Sequence, residues 1–343
     1  MRSVSIKIGM SVGWMALAWI AALAQSAVAE DSQKAAARAL PPLPKGISAW
    51  SFSYDERVAE RIKDFNAHAK AGQQFRYLFP YAGSLDFNAA RHEITLHYQP
   101  GKVSDRYAEA LPAGILIVPN IDARADKKEF NDWTEAQYEA AAVKVAEAIG
   151  ADPHAAGVQV DIEPFAESHL PFYRRLRQEL NARGKFTTMY VGPKKAELLA
   201  KLFQACDVVV ISGYDMETEN TGVERFRKLL TNALVRVQKT AAETQGKYMV
   251  GIPAAASWGE YEYSVDPGGG NRVETGNKQE DYVRAALAVL HGYEESPEYL
   301  GLALWKLSAV KETDEPDKAL KHTKFPDYIR PSVWQILTEY SER

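Results

Sequence analysis

Eight short apolar stretches, each followed by room for a helix, constrain this chain more than any other feature. They cover 46–54, 75–81, 114–121, 156–162, 185–191, 207–213, 247–253 and 299–307. The segments 56–71, 135–149, 170–183, 194–205, 223–244, 279–293 and 325–340 carry apolar residues at helical spacing. In 135–149, for example, Tyr138, Ala142, Val145 and Ile149 fall along one face. Strand and helix in alternation predict a parallel sheet, because parallel neighbours need a crossover connection. Eight is also the number of strands that closes a barrel. The alternative, an open doubly wound sheet, usually has a Gly-rich phosphate turn after its first strand. Here Ser53-Tyr54-Asp55-Glu56 follows Trp50 and Phe52, with no glycine. The expected class is therefore α/β, a (β/α)8 TIM-type barrel. The alternating run Glu93-Ile94-Thr95-Leu96-His97-Tyr98, within 84–99, predicts a small hairpin inserted after strand 2.

The N-terminal region reads differently. Arg2 and Lys7 precede an apolar run over 8–23, which ends in Ala27-Val28-Ala29 before Glu30 and Asp31. Positive, apolar, small, then acidic is the order of a secretory signal peptide, expected over 1–29. A membrane anchor needs about 20 apolar residues, and this run is shorter. A secreted or periplasmic protein with no membrane anchor after cleavage is expected. Residues 30–45 read as an Ala/Pro-rich linker containing Pro41-Pro42-Leu43-Pro44, and 46–343 as the barrel. Loss of Arg2 and Lys7 moves the net charge from −4 to −6, which disfavours a nucleic acid partner. The one cysteine, Cys206, excludes an internal disulfide and a multi-thiolate zinc site. It is expected to be buried beside a strand. The seven histidines show no metal-ligand spacing, so neither a metal nor a cofactor is expected, and the expected state is a monomer. Gly268-Gly269-Gly270 suits a loop over the barrel mouth, while Lys127-Lys128 and Lys194-Lys195 suit solvated faces.

Barrel enzymes place their chemistry at the C-terminal ends of the strands. The fourth strand ends Gln159-Val160-Asp161-Ile162-Glu163-Pro164. Period two puts Gln159, Asp161 and Glu163 on one face and Val158, Val160 and Ile162 on the other. Two inward carboxylates are costly unless used, and if they approach each other one should keep a proton near neutral pH, as a general acid must. The alternative is a capping pair for the next helix, with Pro164 starting it. Tyr190 lies near the end of the fifth strand, and Tyr214-Asp215-Met216 follows the sixth. Trp305 on the eighth is placed to floor a pocket, or to pack in the core. Trp50 and Trp258 are further aromatic candidates. Aromatic faces suit the C–H faces of sugar rings.

Gln159-Val160-Asp161-Ile162-Glu163 resembles the end of the fourth-strand signature Asp-x-x-Asp-x-Asp-x-Glu of the family 18 glycoside hydrolases, the chitinase family. Tyr214-Asp215-Met216 resembles the sixth-strand motif of that family, Gly251-Ile252-Pro253 its seventh strand, and Leu304-Trp305 its eighth. The resemblance implies substrate-assisted hydrolysis of a glycan containing N-acetylhexosamine. Glu163 would protonate the glycosidic oxygen. Asp161 would orient the acetamide whose carbonyl oxygen attacks the anomeric carbon, and Tyr214 would hydrogen-bond that oxygen. Asp215, Gln159, Trp305, Trp50 and Tyr190 would bind substrate. The two earlier signature aspartates fall on Ala156 and Gln159. An amide at 159 is expected to donate a hydrogen bond to ionised Asp161. Two alternatives stay open: a non-catalytic chitinase-like carbohydrate-binding barrel, and a barrel glycosidase acting on a different polysaccharide through a carboxylate nucleophile. The partner expected in every case is an oligo- or polysaccharide.

Overall fold

The structure, a computed structural model, describes residues 40, 42–51, 56–88, 90–124, 133–216, 222–255, 261–263, 272–274, 278–307 and 329–342. The expected signal peptide, Trp258, Gly268-Gly269-Gly270 and Lys127-Lys128 lie outside them.

The barrel strands are β1 (Ile47–Ser51), β2 (Phe75–Asn88), the paired pieces β4 (Leu116–Ile117) and β5 (Asn120–Arg124), β6 (Gly157–Glu163), β7 (Phe186–Val191), β8 (Val208–Ser212), β9 (Lys247–Pro253) and β12 (Tyr299–Leu307). All pair in parallel, and β1 bonds both β12 and β2, which closes the barrel. The helices are α1 (Glu56–His68), α2 (Ser104–Ala110), α3 (Glu135–Gly150), α4 (Leu170–Asn181), α5 (Ala196–Ala205), α6 (Val223–Thr244), α7 (Gln279–Leu290) and α8 (Pro331–Ser341). One helix thus follows each barrel strand, the (β/α)8 order expected. The predicted hairpin is present: β2 runs on past the barrel and pairs antiparallel with β3 (Glu93–Tyr98). A second small antiparallel sheet, β10 (Tyr261–Tyr263) with β11 (Arg272–Glu274), lies in the connection after β9.

Around the second and third strands the structure departs from the sequence reading in three ways. The third strand is split around Pro119, which has no N–H for the ladder, and extends to Arg124 rather than stopping at 121. Strand β2 continues to Asn88 because its second half belongs to the hairpin. Helix α2 was not expected, since seven residues are too few to show a helical period.

Two apolar layers hold the fold. Val158, Val160, Ile162, Val209 and Ile211 belong to the outer layer, with helix residues such as Tyr138, Val145 and Leu176. Trp50, Tyr77, Phe79, Phe186, Val208, Val210 and Met249 fill the barrel interior. Strand alternation therefore sorts the side chains as the period-two pattern requires. Cys206 is buried, and burial pushes its thiol well above the ordinary range, as suits a small apolar group. Leu40 and Leu43 pack on the interior layer from the N-terminal end of the barrel. Tyr77 Oη donates to the Pro44 carbonyl (2.6 Å), and Lys45 Nζ donates to the carbonyls of Glu294 and Ser296 (2.6 and 2.7 Å). This end is plugged, so the opposite end is the mouth. At the plug, Gly301 has φ +133, and a Cβ there would lie 1.8 Å from the Gly46 carbonyl oxygen, so only glycine fits.

Asp152, 1% exposed, ties the hairpin to the sheet. Its carboxylate accepts from Tyr98 Oη, Ser104 Oγ (2.6 Å) and the N–H groups of Gly101, His154 and Ala155 (3.0, 3.0 and 3.1 Å). Burial alone would raise its pKa, but the bonds from Ser104, Tyr98 and the backbone hold it below the ordinary value. Because the folded value is lowered, the stability this group contributes is present above the unfolded value and is lost as pH falls through the folded one. Asp152→Asn should cost about 2–4 kcal/mol, since buried donors left without an acceptor cost about 1–3 kcal/mol each. Thermal melts of both forms check this. The gap should narrow below about pH 4, where the unfolded aspartate takes up its proton.

Among the described residues, no helix is long and apolar enough to cross a membrane.

Candidate functional site

Strand β6 delivers the two carboxylates. Val158, Val160 and Ile162 pack outward, so Gln159, Asp161 and Glu163 face the barrel axis. Their exposure rises toward the mouth: Gln159 is fully buried, Asp161 is half-buried and Glu163 is exposed. Tyr173 on α4 braces the strand from behind, donating to the Val160 carbonyl (2.8 Å). The capping alternative does not hold, because α4 begins at Leu170 with His169 as its N-cap. Glu163 ends a strand instead.

Facing the carboxylates is a stack of three rings. Tyr214 lies parallel to Trp305 (centroids 4.7 Å apart, 12° between planes) and to Tyr190 (5.7 Å, 6°). Gly251 on β9 makes room for this stack, since a Cβ there would come within 2.9 Å of the Tyr214 ring. Trp50 sits below in steep, T-shaped contact with Trp305, Tyr214 and Tyr190, with centroids 5.6, 5.9 and 6.3 Å apart. Trp305 and Tyr190 are part-exposed, and Trp50 is only 3% exposed. Asp215 is held by hydrogen bonds from Tyr190 Oη and Ser212 Oγ. Burial pushes the phenols of Tyr214 and Tyr190 well above the ordinary range, with Asp215 adding to the shift in both and Asp161 adding to it in Tyr214. Both therefore stay protonated at neutral pH, and Asp161 lies close enough to Tyr214 for its charge to be felt there.

Asp161, Glu163, Tyr190, Tyr214, Asp215 and Trp305 thus meet at one mouth. Trp50 and Gln159 lie one layer deeper, where Trp50 Nε1 donates to Gln159 Oε1 (2.5 Å). The bond expected from Gln159 to Asp161 is not made: the amide oxygen is turned to Trp50, and the buried Nε2 has no partner. Its neighbours in register, Asn120 on β5 and Thr188 on β7, also carry a buried oxygen without a partner.

Two mouth residues escaped the sequence reading. Asp122 stands level with Asp161 on the neighbouring strand. Ile121 and Ala123 pack outward, so Asp122 shares the inward face. Extending the alternation of Val118 and Asn120 by one more step finds it. Tyr81, 38% exposed, lies on β2 opposite Asn120. No group of His, Cys, Asp and Glu among the described residues is arranged to hold a metal ion.

No family model matches the chain, and no curated protein matches it either. Solved structures do. One is a chitinase from Chromobacterium violaceum ATCC 12472, 15% identical over 87% of this chain and 98% of that one, with a TM-score of 0.54. The barrel fold of this chain is similar to the fold of that chitinase. A β-D-glucuronidase from Dictyoglomus thermophilum is also similar, 11% identical over 89% of this chain and 51% of that one, with a TM-score of 0.51. At such identities the likeness is one of fold, and the chemistry of this barrel rests on its own side chains.

Proposed function

We propose that this chain is a glycoside hydrolase of the family 18 type, cleaving a glycan that contains N-acetylhexosamine by substrate-assisted acid catalysis. The observation that carries the reading is the placing of Asp161 and Glu163 on the inward face of one strand end, opposite the stacked rings of Tyr214 and Trp305. Glu163, at the open end, protonates the glycosidic oxygen. Asp161, deeper and beside Tyr214, accepts the acetamide N–H and turns the acetamide oxygen toward the anomeric carbon. Tyr214, kept as a phenol by burial, donates to that oxygen as charge develops on it. Asp215, fixed by Tyr190 and Ser212, binds a sugar hydroxyl, and the outer face of Trp305 carries the ring. Trp50 and Gln159 act from below by holding this layer in place.

A second reading has one observation in its favour. Gln159 stands where the family signature has an aspartate, which suits a barrel that binds glycan without cutting it. Asp161→Asn separates the two. A hydrolase should lose most of its turnover of acetamido sugars while still binding them. A binding protein shows no turnover to lose, and its affinity should barely change.

We also propose that the chain is exported as a monomer, with no membrane anchor after cleavage following Ala29. The mass of the protein recovered from outside the cytoplasm should correspond to a start near Glu30. An uncleaved chain in the membrane fraction would contradict this.

A further inference from the structure

The signature position next to Asp161 on β6 is filled by Gln159, an amide, where the signature has an aspartate. The next strand brings an aspartate level with Asp161. Asp122 on β5 and Asp161 on β6 are partners in the parallel register, and adjacent strands run about 4.8 Å apart. Both side chains face the axis, because Ile121, Ala123, Val160 and Ile162 all pack outward. We propose that Asp122 is the positioning residue for Asp161, sharing one proton with it across the strand pair. This rests on the hydrolase reading for its purpose, but the pairing itself stands on register and burial alone.

The other described groups around Asp161 have different surroundings. Gln159 does not ionise, and its amide oxygen is taken by Trp50. The layer below is neutral, with buried atoms of Asn120, Gln159 and Thr188 lacking partners. Tyr173 behind Asp161, Tyr190 on β7 and Tyr214 after β8 are all held as neutral phenols by burial. Asp215 is occupied by Tyr190 and Ser212. Glu163 lies a further two residues along β6 toward solvent, and Lys306 sits over the Trp305 ring (5.8 Å). Two carboxylates facing each other across adjacent strands titrate as a coupled pair, one holding the proton while the other is ionised. When an acetamide N–H seats on Asp161, the shared proton moves to Asp122 and Asp161 accepts as a carboxylate. No other reactant is needed.

Carboxyl-carbon NMR of the full chain, labelled at aspartate and assigned by Asp122→Asn and Asp161→Asn, reads this without substrate. The expected result is that Asp122 and Asp161 titrate in two linked steps, and that Asp122→Asn collapses Asp161 to a single step. Asp122→Glu should restore the two steps. On an acetamido substrate, Asp122→Asn should also lower kcat about tenfold or more with little change in KM, and should move the acid limb of the pH profile. Independent single-step titrations in the wild type overturn the proposal, and this holds even if Asp122→Asn does not fold. So does an Asp161 curve that Asp122→Asn leaves unchanged. Linked titration in a protein that cuts no glycan confirms the pair and removes the hydrolase reading instead.

Discussion

Glu163→Gln should lower kcat by about 10²–10⁴-fold, the usual contribution of a general acid. The substitution keeps the size and the hydrogen-bonding oxygen of the side chain but removes its proton. Glu163 is exposed at the end of β6, so stability should hardly change. KM should stay within a few-fold, because the stacked rings and Asp215, the proposed sugar-binding groups, are untouched. Initial rates on an acetamido oligosaccharide, with melting curves as a control, check both statements. Full activity in this variant would place the acid elsewhere on the mouth.

Trp305→Ala should weaken sugar binding by about 1–3 kcal/mol, or about 5–150-fold, by analogy with the stacking of bases on aromatic side chains. One face of Trp305 is covered by Tyr214, and the ring is part-exposed, which leaves area for a sugar. Losing the Tyr214 contact should also destabilise the fold, by about 0.5–1.5 kcal/mol for such an aromatic pair. Calorimetric titration with a short acetamido oligosaccharide separates the two effects, and Trp305→Phe should recover most of the affinity. A large fall in melting temperature with affinity intact would mean that Trp305 is core and not a platform.

The alternation of short apolar runs with helical ones was enough to read the barrel, because each strand must bury one face inside the barrel and the other under a helix. The hairpin was legible for the same reason: Glu93 to Tyr98 alternates, while the buried strands do not. What the pattern hid were places where local chemistry interrupts it. The third strand was read as ending at Ile121, where its apolar run stops, and with that end went Asp122. Helix α2 is too short to show a period. The inward direction of Asp161 and Glu163 followed directly from their valine and isoleucine neighbours. The partner of Gln159 did not, because Trp50 lies 109 residues away in sequence and only closure of the barrel brings the two together. The stack of Tyr190, Tyr214 and Trp305 is likewise a product of strand order, with Gly251 providing space that no local motif announces.

The most direct test of the mechanism is the rate of the wild-type chain on one glycan in two forms, N-acetylated and deacetylated, with the same linkage and length. The acetamide oxygen is the proposed nucleophile, so the acetylated form should be cut and the deacetylated form should not, although both are bound. Equal rates on the two forms would contradict substrate assistance and assign the displacement to a carboxylate of the protein.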